Sequence, residues 1–159
     1  MFDGKRARLA LMGLAIAIAV SGPAALGQTT VTQDNPITST VISDCNGDTI
    51  TFTGTLHSVF TFNTNPSGMV HTGFDFSVHA TGVDTTPGPN YGLTYIVNDN
   101  SHAETNVRGV AQVQNFGAKM MLISQGSAPN EVDRSTMHVV IHADNSFAVQ
   151  RNSETISCK

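Results

Sequence analysis

The fold is decided by the stretch Thr49-Ile-Thr-Phe-Thr-Gly-Thr-Leu-His-Ser-Val-Phe-Thr-Phe62, in which apolar and polar residues alternate. The odd positions are mostly threonine, and the apolar residues share the even positions: Ile50, Phe52, Leu56, Phe60 and Phe62. An alternation with a period of two, sustained over this whole length, predicts one long β-strand with an apolar face and a polar face.

The stretch from Val70 to Gly82 repeats this alternation, and the turn-forming segment Asn63-Thr-Asn-Pro-Ser-Gly68 lies between the two. The sequence therefore predicts a β-hairpin. The two apolar faces must coincide, and they do so when paired residue numbers sum to 132. This register places His57 directly opposite Asp75 on the polar face, and the same face carries a polar stripe with His71 and His79.

Similar patterns continue to the end of the chain, with hairpin turns predicted at residues 99–101 and 144–146 and a loop at 125–130. We predict seven strands and an eighth near residues 38–42, and no segment after residue 27 has a helical period. The fold class predicted is all-β, an antiparallel up-and-down barrel of seven to eight strands, because long sequential strands lose their edges when they close on themselves. A two-sheet β-sandwich is the alternative. The aromatic side chains predicted to fill the interior are Phe52, Phe60, Phe62, Phe74, Phe76, Tyr91 and Tyr95.

The N-terminus has the three parts of a secretory signal peptide. The basic residues Lys5, Arg6 and Arg8 precede an apolar run over residues 9–20, and small residues follow over 21–27. The apolar run is shorter than the ~20 residues that a membrane-spanning helix needs. We therefore predict a signal peptide at 1–27, an extended N-terminal segment at 28–44 and a single barrel domain at 45–159. The mature protein is expected to be secreted or periplasmic, without a membrane span.

The two cysteines fit this location, because thiols in an oxidising compartment are usually paired. Cys45 precedes the first of the seven predicted strands and Cys158 follows the last. In an up-and-down barrel those strands are neighbours, so we predict a disulfide on the barrel seam, with Cα atoms within about 7 Å.

The charge of the chain argues against two classes of partner. Its formal net charge is −4, and removal of residues 1–27 makes it more negative because three of the basic residues leave. Nucleic acids and anionic membranes attract clusters of Lys and Arg, which the remaining chain lacks. An acidic surface of this kind favours solubility.

Four short motifs resemble those of small secreted bacterial β-proteins that have no assigned activity. They are Cys45-Asn-Gly, Thr53-Gly-Thr-Leu-His57, Asn90-Tyr-Gly-Leu-Thr-Tyr95 and Leu122-Ile-Ser-Gln-Gly126. The similarity covers the chain from Cys45 to Cys158. It implies export and an all-β fold, and it assigns no site residues.

The histidines and carboxylates form no recognisable catalytic or metal-binding motif in the sequence, and we predict neither a metal nor a cofactor. His138 and His142 share a strand face but stand about 13 Å apart, too far to ligate one ion together. The favoured hypothesis is a secreted, non-catalytic β-barrel that binds a small apolar ligand or an extracellular macromolecule, or serves as a structural module of the envelope. The alternative is an extracellular isomerase, cyclase or hydrolase in which His57 and Asp75 form an acid–base pair.

Overall fold

The computed structural model describes residues 28–144 and 146–159, so the predicted signal peptide lies outside the described residues. Seven long strands make up this part of the chain: β1 (Gln28–Ile42), β2 (Thr49–Thr64), β3 (Val70–Asp84), β4 (Thr94–Arg108), β5 (Ala111–Ser124), β6 (Glu131–Ile141) and β7 (Phe147–Cys158). They form a single antiparallel sheet in sequence order. The all-β, up-and-down prediction is confirmed, and the alternative of two separate sheets is not what these strands form.

The predicted N-terminal segment forms the first strand, β1, which pairs with β2 along its full length. β1 and β7 are the two edges of the sheet, and no hydrogen-bonded ladder joins them among the described strands. The sheet is therefore open, and complete closure into a barrel is not part of the observed fold. None of the described residues forms a helix long and apolar enough to cross a membrane.

The faces of β2 and β3 are as predicted, but their register differs by two residues. Phe60 pairs with Phe74 and Leu56 with Val78, so that paired numbers sum to 134 rather than 132. The cause lies in the turn, where the side-chain oxygen of Asn65 accepts hydrogen bonds from the backbone N–H groups of Ser67 and Met69. This tight turn starts later than predicted, so β2 continues to Thr64.

The predicted hairpin turn at residues 99–101 is wrong. These residues lie in the middle of β4, which continues to Arg108. The chain reverses instead at Gly109, whose φ of 63° is in the left-handed region that favours glycine. A turn there lets β4 and β5 pair over almost their full lengths.

The core lies at the end of the sheet where β2, β4 and β6 begin. The apolar cluster contributed by β2 to β5 consists of Ile50, Val78, Ala80, Tyr95, Val97 and Leu122, together with Ala128 from the β5–β6 loop. The prediction that Tyr95 points inward is confirmed, since only 1% of it is exposed, whereas the same prediction for Tyr91 is wrong, since 69% of it is exposed. Tyr91 lies in the β3–β4 connection rather than in a strand.

At the opposite end of the sheet the core face is more open. Phe60, Phe74 and Phe76 are half-buried, and Phe62 is 38% exposed. The aromatic side chains therefore cover the concave face without filling a closed interior.

The Cys45–Cys158 disulfide is confirmed, with Cα atoms 5.7 Å apart. It joins the β1–β2 connection to the end of β7, and so it links the two edges of the sheet. Beside it, the buried carboxylate of Glu131 accepts hydrogen bonds from Ser43 Oγ at 2.6 Å and from the backbone N–H of Cys45 at 3.3 Å. The sheet must therefore curl strongly at this end.

Candidate functional site

We call the surface that carries the apolar cluster the core face, and the opposite surface the outer face. Side chains alternate between them along each strand. Five of the six histidines lie on the outer face, and in each case Nδ1 lies within hydrogen-bonding distance of an Asp or Asn oxygen on the neighbouring strand. These pairs are His57–Asp34, His71–Asn106, His79–Asn98, His102–Asp75 and His138–Asn115.

The predicted direct pairing of His57 with Asp75 is wrong. His57 stands opposite Ser77 on β3 and Asp34 on β1, and its Nδ1 lies 2.6 Å from the Asp34 carboxylate. Asp75 instead faces His102 on β4. The two-residue difference in register explains the exchange, because it moves each residue to the next position on the same face. The predicted common face of His57, His71 and His79 agrees with the observed strand pairing.

His102 is held between two carboxylates. Its Nδ1 contacts Asp75 Oδ1, and its Nε2 lies 3.0 Å from Glu104 Oε1. Hydrogen bonds to Asp75 and then to Glu104 raise the pKa of His102 above its ordinary value. Two acceptors favour the imidazolium form, in which both ring nitrogens donate.

His102 and Asp75 border a depression of about 470 Å³ on the outer face. Its outward-pointing lining side chains come from β2 to β6: His57, Asp75, Ser77, Asn100, His102, Lys119, Arg134 and Thr136. Gly117 lies among them, and a Cβ atom placed on it would meet nothing within 4 Å. The missing side chain therefore leaves open space in the floor, between the longer side chains of the rim.

Two cations form one side of this depression. Lys119 on β5 stands directly opposite Arg134 on β6, an arrangement in which like charges repel. All three ion pairs found among the described residues involve a histidine, so neither cation takes part in one. Their charges are available to a ligand.

A second polar group lies on the core face and has a structural role. The hydroxyl of Tyr95 donates to Asp48 Oδ2 at 2.8 Å, and Asp48 also accepts a hydrogen bond from Asn90. Burial, followed by smaller contributions from Asp48, raises the pKa of Tyr95 to about 12. The phenol stays protonated and ties the β1–β2 and β3–β4 connections to the core.

Two half-buried carboxyls also lie on the core face. Burial raises the pKa of Asp99 and of Asp133, and their mutual repulsion adds to the shift of Asp99. In the part of the chain that the structure describes, no group of three or more His, Cys, Asp or Glu side chains is arranged to hold a metal ion.

Sequence reasoning found the polar stripe but missed most members of the site. The predicted turn at residues 99–101 puts His102 and its partner Glu104 on the second arm of a hairpin that does not form, and the alternation alone does not pair Lys119 with Arg134. A signal for them was present, since the alternation of β4 already places His102 and Glu104 on one face. The missing information was the turn at Gly109.

Comparison of the chain with protein-family models, with curated proteins and with solved structures gave no match. Its function is therefore inferred from the geometry of the outer face.

Proposed function

We propose that the protein is a secreted or periplasmic, non-catalytic binding module whose outer-face depression receives a polar group of an extracellular macromolecule. The observation that carries this proposal is the depression itself, built entirely on paired strands and lined by imidazole, carboxylate, amide, hydroxyl and cationic side chains. Rigid strands present such groups in fixed positions, which reduces the entropy lost on binding.

Binding is favoured over catalysis by the way in which His102 is engaged. A general base needs a free nitrogen lone pair within reach of the substrate. Both nitrogens of His102 face carboxylates, which supports a role in recognition and in strand pairing. His57 is oriented by Asp34 through Nδ1 alone, so its Nε2 is the base that an enzyme of the alternative class would use.

A polar macromolecule is favoured over the small apolar ligand, because the depression is open and its outward side chains are polar. An apolar ligand would instead fit the concave core face beside the half-buried Phe60 and Phe74. The two possibilities therefore place the ligand on opposite faces of the same sheet.

Export is part of the proposal. It is supported by the predicted signal peptide, by the disulfide and by the resemblance to small secreted bacterial β-proteins. We also propose that the curled sheet is a barrel-like scaffold in which the edges β1 and β7 approach each other beyond the disulfide. The joined ends of the two edges support this shape.

The binding proposal is tested with a variant that fills the depression. Gly117→Leu places a side chain in the open floor, and Gly88→Leu is the matched control, because a Cβ there also meets nothing within 4 Å. The probes are a panel of neutral and charged oligosaccharides and the apolar dye ANS, and amide NMR shifts locate each binder on the protein.

We expect oligosaccharides to shift the amides of Ser77, Asn100 and Gly117 in the wild type and in Gly88→Leu, and to lose this effect in Gly117→Leu. Binding of ANS alone, with shifts confined to the phenylalanines of the core face, would contradict the proposal. Conversion of any probe to product would favour the alternative of an enzyme.

A further inference from the structure

On the last three strands, the positively and negatively charged side chains lie on opposite faces of the sheet. The outward positions of β5, β6 and β7 carry the cations Lys119, Arg134 and Arg151, and the sequence places no Asp or Glu at any outward position of these strands. Their carboxylates, Glu131, Asp133 and Glu154, all fall on the core face by the same alternation. The outer face of β5 to β7 thus carries cations without carboxylates, whereas the outer face of β1 to β4 carries Asp34, Asp75 and Glu104.

Lys119 and Arg134 are the centre of this surface. Their side chains start from directly paired positions, and neither takes part in an ion pair with a carboxylate among the described residues. A carboxylate from outside the chain would relieve their repulsion and could accept two parallel hydrogen bonds from the guanidinium group. This corner of the depression therefore fits a bound anion.

The remainder of the depression fits the hydroxyl groups of a sugar. Ser77, Asn100 and Thr136 supply short hydroxyl and amide side chains beside the two cations, and Asp75 supplies a carboxylate acceptor. No aromatic side chain points outward from β5 or β6 in the described strands. Stacking platforms of the kind that bind single-stranded nucleic acids are thus missing here.

We propose that the depression binds a carboxylate-bearing saccharide, with the uronic carboxylate between Lys119 and Arg134 and the sugar hydroxyls against Ser77, Asn100 and Thr136. This inference rests on the proposed function and adds the class of ligand to it. Arg151 on β7 extends the cationic surface and lies about 13 Å from Arg134 along the strand direction. A chain of several sugars is long enough to reach it.

The test uses ligands and variants that are matched in pairs. The acidic probes are decasaccharides of galacturonic acid and of hyaluronan, and the neutral probe is the fully methyl-esterified galacturonic acid chain. The variant Lys119→Gln/Arg134→Gln removes both central cations. The control Arg108→Gln/Lys159→Gln removes the same charge from the turn end of β4 and from the C-terminus. Affinities are measured by calorimetry at low and at moderate salt, and amide NMR shifts locate the bound chain.

We expect at least one acidic chain to bind in the depression, with affinity that falls as salt rises, and to lose about tenfold or more in the Lys119/Arg134 variant only. Equal binding of the neutral ester in the depression would overturn this inference and leave the proposed function intact. Loss of binding to the same extent in both variants, or binding of a single-stranded DNA decamer as tight as that of the acidic chains, would show unspecific attraction and overturn it. If neither acidic chain binds, the inference is wrong, and the oligosaccharide panel with Gly117→Leu separately decides the proposed function.

Discussion

His102 is the residue whose surroundings differ most from those of a free histidine. Its side chain is 46% exposed, yet carboxylates approach both ring nitrogens. Lys119 lies diagonally across from His102 on β5, and its positive charge acts against the effect of the two carboxylates. Because the pKa of His102 is raised, protonation stabilises the folded state.

The sign of the resulting pH dependence follows from the raised pKa of His102. Its contribution is complete below the pKa of the unfolded chain, about 6.5, and is lost as pH rises through the higher pKa of the folded state. We therefore expect His102→Asn to lower the free energy of unfolding by about 0.5–1 kcal/mol near pH 5.5, a range limited by solvent screening of exposed groups. The loss should be much smaller near pH 8.5.

Urea unfolding at the two pH values measures this difference. His71→Asn is the control, because it removes a histidine whose partner is the uncharged Asn106, and near pH 5.5 the loss for His102→Asn should exceed the loss for this control. An equal loss at both pH values for His102→Asn would show that the carboxylates do not bind the imidazolium preferentially.

At the scale of the strands, glycines decide how closely neighbouring elements approach and where the outer face is open. A Cβ on Gly54 of β2 would overlap the backbone of β3 at His79 and Ala80, whereas a Cβ on Gly117 of β5 would meet nothing within 4 Å. Substitutions at these two positions therefore distinguish steric overlap between closely packed strands from the addition of a side chain in open space.

We expect Gly54→Ala to lower the free energy of unfolding by about 1–3 kcal/mol, because the β2–β3 ladder must shift to accept the methyl group. Gly117→Ala should be neutral or stabilising by up to about 1 kcal/mol, because the substitution reduces the freedom of the unfolded chain. Chemical denaturation of both variants measures the difference. Similar losses at the two positions would mean that strand propensity, rather than steric overlap, governs both.

The faces of the strands could be predicted from the sequence, but their register could not. Alternation is a property of each strand alone, so it placed His57, His71 and His79 on one face before any pairing was known. Register depends on where each turn begins, and the Asn65 side chain that fixes the β2–β3 turn acts through hydrogen bonds that no residue count reveals.

The same reason explains the errors further along the chain. Asp99, Asn100 and Ser101 have the composition of a turn, yet they pair with Val78, Ser77 and Phe76 of β3, because the left-handed Gly109 provides a better place for the chain to reverse. Once that turn was misplaced, the pairing of His102 with Asp75 could not be derived. The candidate site was thus predictable as a surface and not as a set of contacts.

At the scale of the whole molecule, an open sheet has its two edges joined at one end only. The Cys45–Cys158 bridge closes a long loop, with a sequence separation of 113, and it lies beside the buried core that β2 to β5 share. Away from this end, the first half of β1 is exposed on both faces, and the edges have one strand neighbour each.

The disulfide therefore maintains the curvature of the sheet. It also reduces the conformational entropy of the unfolded chain. We expect Cys45→Ser/Cys158→Ser to lower the free energy of unfolding by about 2–5 kcal/mol. Hydrogen exchange should show where the sheet loosens: amides of β1 and β7 should exchange faster in the variant, whereas those of β3 and β4 should change only by the global loss of stability.

The same experiment on the wild type tests the barrel-like scaffold. A ladder between β1 and β7 would protect amides on the outward edges of both strands, and in a barrel this protection would extend far beyond the disulfide. Uniformly fast exchange along the first half of β1 would show that the sheet stays open in solution.

The depression is built on β2 to β6, away from both edges. Its side-chain pairs should therefore keep their NMR signatures in the cysteine variant. Loss of these signatures would show that the curvature of the sheet shapes the site.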